Sequence, residues 1–260
     1  MSSFFMPPEL LDLARSYGTR VVLLHTESPY EDERQLALAP HADVNLLNDP
    51  TNIERFAEVS IARYVPHAYR PDVHRPGPAV EKWRSDFAFV GTGYPTRIRF
   101  FERMTRHFDG VDVLLAGNWQ AIEPDSPLRK YVPHELDDCF DNADGVDVYR
   151  STRIGINLYR REAENPALSE GLTMGPREVE MAATGLFFMR DPRPEGDDVL
   201  HMLPTFASPE DAAEQVRYWL AHEDERNELA AKARDAVADR TFVNHAAALL
   251  RLLDRQPAVT

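Results

Sequence analysis

Short apolar runs recur along this chain with helix-type segments between them, and that alternation restricts it to an α/β fold with parallel strands. Arg20-Val21-Val22-Leu23-Leu24-His25, Asp43–Leu47 and Ile61–Val65 read as strands. Helices are expected between them at Glu31–Leu38 and Pro50–Glu58, the second opened by its proline. The pattern then stops. Pro66, Pro71, Pro76 and Pro78 punctuate a stretch without period that runs to Trp83. It resumes with the strand Asp86–Gly91, a helix from Pro95 to about His107, and the strand Val111–Gly117. A long polar segment follows to about Asp144. A short helix over Val146–Thr152, the strand Ile154–Leu158, a helix over Pro176–Ala183 and the strand Gly185–Met189 come next. Amphipathic helices at Pro209–Ala221, Asp224–Ala238 and Phe242–Leu253 close the chain. The expected division is a partial N-terminal α/β domain over 1–75, a proline-rich linker over 76–85 and a C-terminal domain over 86–260. The last helix is a candidate to pack back on the first domain.

With 43 acidic against 29 basic residues, the formal net charge is −14. So negative a surface disfavours nucleic acid or an anionic membrane as the main partner. No stretch approaches the ~20 apolar residues of a membrane span. Met1–Pro8 has neither the basic start nor the apolar run of a secretory leader. The single cysteine, Cys139, has no intrachain disulfide partner and reads as a half-buried apolar residue, so a cytoplasmic location is expected.

Phe89-Val90-Gly91-Thr92-Gly93 follows a strand and precedes a helix opened by Pro95. Glycines let a backbone approach an anion, and a helix start offers free amides and a favourable dipole, so the turn reads as a phosphate cradle. A dinucleotide is disfavoured: Thr96 stands where a third glycine is needed, and the next strand ends Ala116-Gly117-Asn118-Trp119 without a ribose-binding acid. Arg177 and Glu180 lie three apart near a helix start and so share a face. There an arginine can fork onto a phosphate and a glutamate can accept two ribose hydroxyls; a surface ion pair would have the same spacing. His25 and Glu27 follow a strand, where a general base can sit, or where they form a satisfied polar turn. Asp141–Gly145 lacks the alternation and closing acid of a calcium loop, and no metal site is expected.

Four segments in this order resemble GT-B glycosyltransferases, and more closely the bacterial and phage subgroup of spore-maturation type. They are Phe89–Gly93, Ala116-Gly117-Asn118-Trp119, Tyr149–Asn157 with its Ser151-x-x-Ile154-x-x-Asn157, and Arg177–Gly185 with its Arg-x-x-Glu-x-Ala-x-x-Gly. The resemblance runs from about Val21 to the C-terminus. It implies a GT-B-like fold: a Rossmann-like parallel-sheet C-terminal domain preceded by a truncated α/β N-terminal domain. It implies sugar transfer from a nucleotide diphosphate-sugar, without metal or other cofactor, to an unknown acceptor that is a protein, a glycan or a small molecule. Glu180 would bind the donor ribose and Arg177 a phosphate. Gly91, Thr92 and Gly93 would face the diphosphate or sugar, and Asn157 and Arg160 would line the same cleft. Trp119 is a candidate to stack on the base or to pack as core. Many GT-B enzymes carry an acid eight positions before the ribose glutamate; here Leu172 stands there. Only about seventy residues precede the linker, so the acceptor side is either minimal or completed by a partner chain, a second copy included. That leaves open a nucleotide-sugar-binding module or one half of a two-chain enzyme. A nucleotide-dependent epimerase of the same broad fold is a more distant alternative.

Overall fold

The computed structural model describes residues 6–163 and 165–254. Most of Met1–Pro8 lies outside them. The chain divides into two compact units: the described parts of Met1–His67, Arg161–Met174 and Phe242–Thr260 form the first, and Ala68–Arg160 with Gly175–Thr241 form the second.

The first unit holds a three-stranded parallel sheet of β1 (Val22–His25), β2 (Val44–Leu47) and β3 (Ile61–Tyr64), in that order. Every residue of β2 is buried, because a middle strand with both faces covered leaves none to solvent. Leu11 of helix α1 (Pro8–Ser16) packs with Val21, Leu23 and Ala42, and Phe56 of a second helix packs with Ala39, Leu47 and Ala62. Helices α2 (Asp32–Leu36) and α3 (Ile53–Ala57), which contains that phenylalanine, are shorter than the sequence predicts. A 3-10 turn at Ala39–His41 follows α2, and residues 50–52 form the turn into α3.

The second unit holds four parallel strands in the order β5-β4-β6-β7. They are β4 (Ser85–Val90), β5 (Val113–Ala116), β6 (Thr152–Asn157) and β7 (Phe188–Arg190). Between them run α4 (Pro95–Met104), α5 (Asn142–Ser151) and α6 (Pro176–Thr184). Alternation along β4 feeds both faces. Phe87 and Phe89 ring-pack with Phe101 of α4, whereas Ala88 packs with Trp83, Leu114, Ala116 and Val148 of α5. The α/β reading with parallel sheets therefore holds. After β4 the chain goes to one side for β5 and returns to the other for β6, so the carboxyl end of β4 is the topological switch point of this sheet, where open α/β sheets take their ligands.

Three local expectations change. Asp141, read as a weak echo of a calcium loop, is the N-cap of α5: its Oδ1 accepts the amides of Ala143 and Asp144 at 2.7 and 2.9 Å, and the helix starts four residues early. Gly185, expected to open a strand, instead ends α6 in the left-handed conformation at φ 84°, so β7 begins at Phe188. Cys139 is exposed rather than half-buried. The short α7 (Pro194–Val199), then α8 (Pro209–Ala221), α9 (Glu223–Ala236) and α10 (Phe242–Asp254) complete the fold. Within the first unit, Arg20 of the segment before β1 donates to the carbonyl of Leu253 in α10.

Candidate functional site

At the end of β4 the turn Gly91-Thr92-Gly93 is folded against the turn that follows β5. The Gly91 amide donates to the Ala116 carbonyl at 2.9 Å and the Gly93 amide to the Asn118 carbonyl at 2.8 Å. Gly117, at φ 104°, lies so close that a methyl there would sit 2.7 Å from the Gly91 carbonyl oxygen. Both glycine amides are thus spent within the fold, and the cradle expected of them is narrower than the sequence suggests. Gly93 is small for a different reason: a methyl on it would meet the Trp119 ring at 2.6 Å. Trp119 is fully buried, its ring against Phe89 and Phe101 and its indole N–H donating to the Ala116 carbonyl at 3.2 Å. It is a core residue, which corrects its candidacy as a stacking partner for a base. Gly93→Ala is expected to destabilise the second unit by about 1–3 kcal/mol through overpacking, read as a lower denaturant midpoint.

Arg177 and Glu180 come to the same place from α6. A methyl on Gly91 would lie 3.2 Å from Arg177 Nε, so this guanidinium flanks the turn. Both α6 side chains line a cavity of about 130 Å³ with Val90, Phe140, Asn142 and Tyr149. Burial raises the Glu180 carboxyl to about 7, against the opposing pull of Arg177 and of a hydrogen bond with Tyr149. The same burial, with the Glu180 charge, pushes the Tyr149 hydroxyl far up, so it stays protonated as a donor. His74, nearly inaccessible, directs Nε2 at Glu180 Oε1 from 3.8 Å.

The start of α6 is built by a second carboxylate, this one fully buried. Glu178 Oε2 accepts the Gly175 amide at 2.7 Å and the Tyr159 hydroxyl, and the Glu178 amide donates to the Gly175 carbonyl at 3.2 Å, which ties the helix start to the segment after β6. Burial raises Glu178 too, to about 7. For Glu178 and Glu180 the folded state binds protons more tightly than the unfolded one. Their stabilisation is therefore complete below about pH 4.5 and lost as pH climbs to about 7. Asn157 ends β6 with its side-chain amide nitrogen 3.8 Å from where a Gly175 methyl would be. Arg160 lies over the Tyr94 ring at 5.2 Å, beside the glycine turn. Arg97 holds that region together from within, donating to the carbonyls of Thr92 at 3.1 Å and Leu158 at 3.0 Å.

His25 and Glu27 belong to the first unit. His25 is wholly buried: its ring nitrogens lie 3.1 Å from Gln35 Oε1 and 2.8 Å from Asn45 Oδ1, its ring packs against Phe56, and burial lowers its pKa. With both nitrogens engaged and no accessible surface, it is a core histidine and not a base within reach of an acceptor. Glu27 is half-buried in the turn after β1, where its carbonyl accepts the Glu31 amide at 3.1 Å.

A model of the glycosyl transferase-like family matches residues 87–251, from β4 into α10. The chain belongs to that family. It is a glycosyltransferase by class, and the glycine turn and α6 both fall inside the matched region. No curated protein matches the sequence. Among the solved structures that share the fold are the following three. Sucrose-phosphate synthase from Thermosynechococcus elongatus is 12% identical with TM-score 0.61, over 94% of this chain and 69% of that one. A UDP-forming α,α-trehalose-phosphate synthase from Burkholderia vietnamiensis is 12% identical with TM-score 0.60, over 99% and 74%. An E. coli trehalose-6-phosphate structure bound with UDP-2-fluoro glucose is 12% identical with TM-score 0.59, over 95% and 72%. These neighbours are GT-B glycosyltransferases.

The sequence reading missed His74, Tyr149 and Phe140. His74 sits in the stretch without period that reads as a linker, and nothing local marks it. Tyr149 stands inside a motif but carries no polar pattern of its own. Among the described residues no helix is long and apolar enough to cross a membrane, and no group of three or more His, Cys, Asp or Glu side chains is placed to hold a metal ion.

Proposed function

We propose that this glycosyltransferase moves a sugar from a nucleoside diphosphate-sugar to an acceptor oxygen, with the nucleotide held in the cavity between α5 and α6. The observation that carries this reading is the pairing of Glu180 and Arg177 at the switch point of the sheet. A half-buried carboxylate lines the cavity, and a guanidinium on the same helix flanks the turn after β4. In the proposed complex Glu180 accepts the ribose hydroxyls. Arg177 pairs with the diphosphate, and Arg160, Asn157 and Thr92 border the same end of the sheet. During transfer the acceptor hydroxyl oxygen bonds to the anomeric carbon and passes its proton to the departing diphosphate or to water, while the bond from that carbon to the diphosphate oxygen breaks, leaving its electron pair on the diphosphate. Arg177 and the helix start take up that charge, so the step needs no metal ion. UDP-sugars are the first donors to test, since a neighbour of this fold was solved with one.

Thermal-shift and calorimetric titration with UDP-, GDP- and ADP-sugars tests the reading; a bound donor should raise the melting temperature. If none of them binds, the assignment of the cavity fails.

Binding should also depend on pH. Ribose hydroxyls donate to an ionised carboxylate, so binding favours the form that predominates above the Glu180 pKa of about 7. Affinity is expected to rise by up to about tenfold from roughly pH 6 to pH 8 and then level off. The diphosphate titrates nearby, but equally in Glu180→Gln. Calorimetry across this range on both proteins should show a steeper rise in the wild type.

A further inference from the structure

We propose that His74 is a positioning residue for the nucleotide ribose: its Nε2–H fixes Glu180 Oε1, so that the rest of the carboxylate faces the ribose hydroxyls. The inference rests on the assignment of Glu180 to the ribose.

The argument begins with the turn that carries the histidine. The His74 amide donates to the Arg70 carbonyl at 2.7 Å, and the Arg70 amide donates to His74 Nδ1 at 3.1 Å. An amide N–H only donates, so Nδ1 must carry the lone pair, and the proton of a neutral ring is on Nε2. That nitrogen is the one 3.8 Å from Glu180 Oε1. Burial lowers the His74 pKa, which keeps the ring neutral and the tautomer defined.

The turn itself is fastened to α5. Arg150 donates from Nε to the Arg75 carbonyl at 2.9 Å and from Nη2 to the Val73 carbonyl at 3.0 Å. Gly77 leaves room for that arm, since a methyl there would lie 2.7 Å from Arg150 Nε. The residue before Arg150 is Tyr149, which hydrogen-bonds Glu180. Glu180 is therefore braced by its own helix through Arg177, by α5 through Tyr149 and by the turn through His74. Arg70, Asp72 and Arg150 are the charges that face the histidine. At 3.8 Å the Nε2–H is just outside hydrogen-bond range, and the ionised Glu180 carboxylate that the nucleotide selects supplies the charge to close the gap. His74 is only 2% exposed, so it acts through Glu180 and does not touch the nucleotide.

The test measures dissociation constants of UDP, GDP and ADP and of their 2′-deoxy counterparts at about pH 8 by calorimetry. The proteins are the wild type, H74N, H74Q and E180Q. Asparagine keeps an acceptor for the Arg70 amide and loses the donor at Nε2; glutamine reaches the Nε2 position. Wild type should prefer the ribonucleotide by about tenfold. E180Q and H74N should both lose that preference, H74N with its melting temperature retained, and H74Q should restore most of it. A preference unchanged in H74N but lost in E180Q overturns the role of His74 and leaves Glu180 in place. An unchanged preference in E180Q, or no binding and no preference in the wild type, overturns the ribose assignment and this inference with it. Should H74N fail to fold, H74Q decides: a preference at wild-type level supports the donor role, and a lost one overturns it.

Discussion

Glu180→Ala is expected to weaken binding of the best nucleotide sugar by about 100-fold or more, while the second unit stays folded and gains slightly in stability. Two hydroxyl hydrogen bonds to a carboxylate are worth about 1.5–3 kcal/mol each, enough for that loss. The stability change has the opposite sign because burial already raises this carboxyl to about 7. An unliganded protein that holds a carboxylate half-buried beside a cavity carries part of a desolvation cost, and removing the group relieves it. An ordinary exposed ion pair with Arg177 would behave differently: its loss would cost at most about 1 kcal/mol of stability and leave affinity unchanged. Calorimetry and a melting curve on the same variant separate the two. Arg177→Ala should weaken binding of the nucleoside diphosphate more than that of the free nucleoside, because its guanidinium flanks the glycine turn where the phosphates are proposed to lie.

Asp49→Ala is expected to destabilise the first unit by about 3–5 kcal/mol and to open residues 165–174 to proteolysis. Asp49 is completely buried and accepts five hydrogen bonds. Oδ1 takes the amide and hydroxyl of Thr51. Oδ2 takes the amides of Leu172 and Thr173, at 2.7 and 3.0 Å, and the Thr173 hydroxyl at 3.0 Å. Alanine would leave several buried donors unpaired, which costs more than the bonds are worth net. Asp49→Asn keeps the shape but brings an N–H₂ against donors, so an intermediate loss is expected. Chemical denaturation gives the magnitude, and the cleavage sites under limited proteolysis show whether the 165–174 segment is the part released. The Leu172 side chain is exposed, and its backbone amide is held by the Asp49 carboxylate two residues after β2.

The parallel α/β architecture was legible because its signals are local. Phe87 and Phe89 against Ala88 alternate with period two, and helix starts are marked by Pro95, Pro176 and Pro209. The short helices α2 and α3 were overestimated because their periodic residues continue into turns that only a hydrogen-bond pattern distinguishes. At the site, the spacing of Arg177 and Glu180 indicated a shared face, and the sequence left a ligand site and a surface ion pair equally open.

What the sequence determined, then, is the order of strands and helices, the glycine turn at the end of β4, and the placement of an arginine and a glutamate on one face at the start of α6. Each depends on residues within one or two turns of each other. The tertiary structure decided which polar side chains face the cavity and which are consumed by the fold. It turned Trp119 into core behind Gly93 and closed His25 among Gln35, Asn45 and Phe56. It also brought His74 from a stretch without pattern to within 3.8 Å of Glu180. A side chain's periodicity fixes the face it leaves from, but the partner that satisfies it arrives from a distant part of the chain, and only packing determines which one.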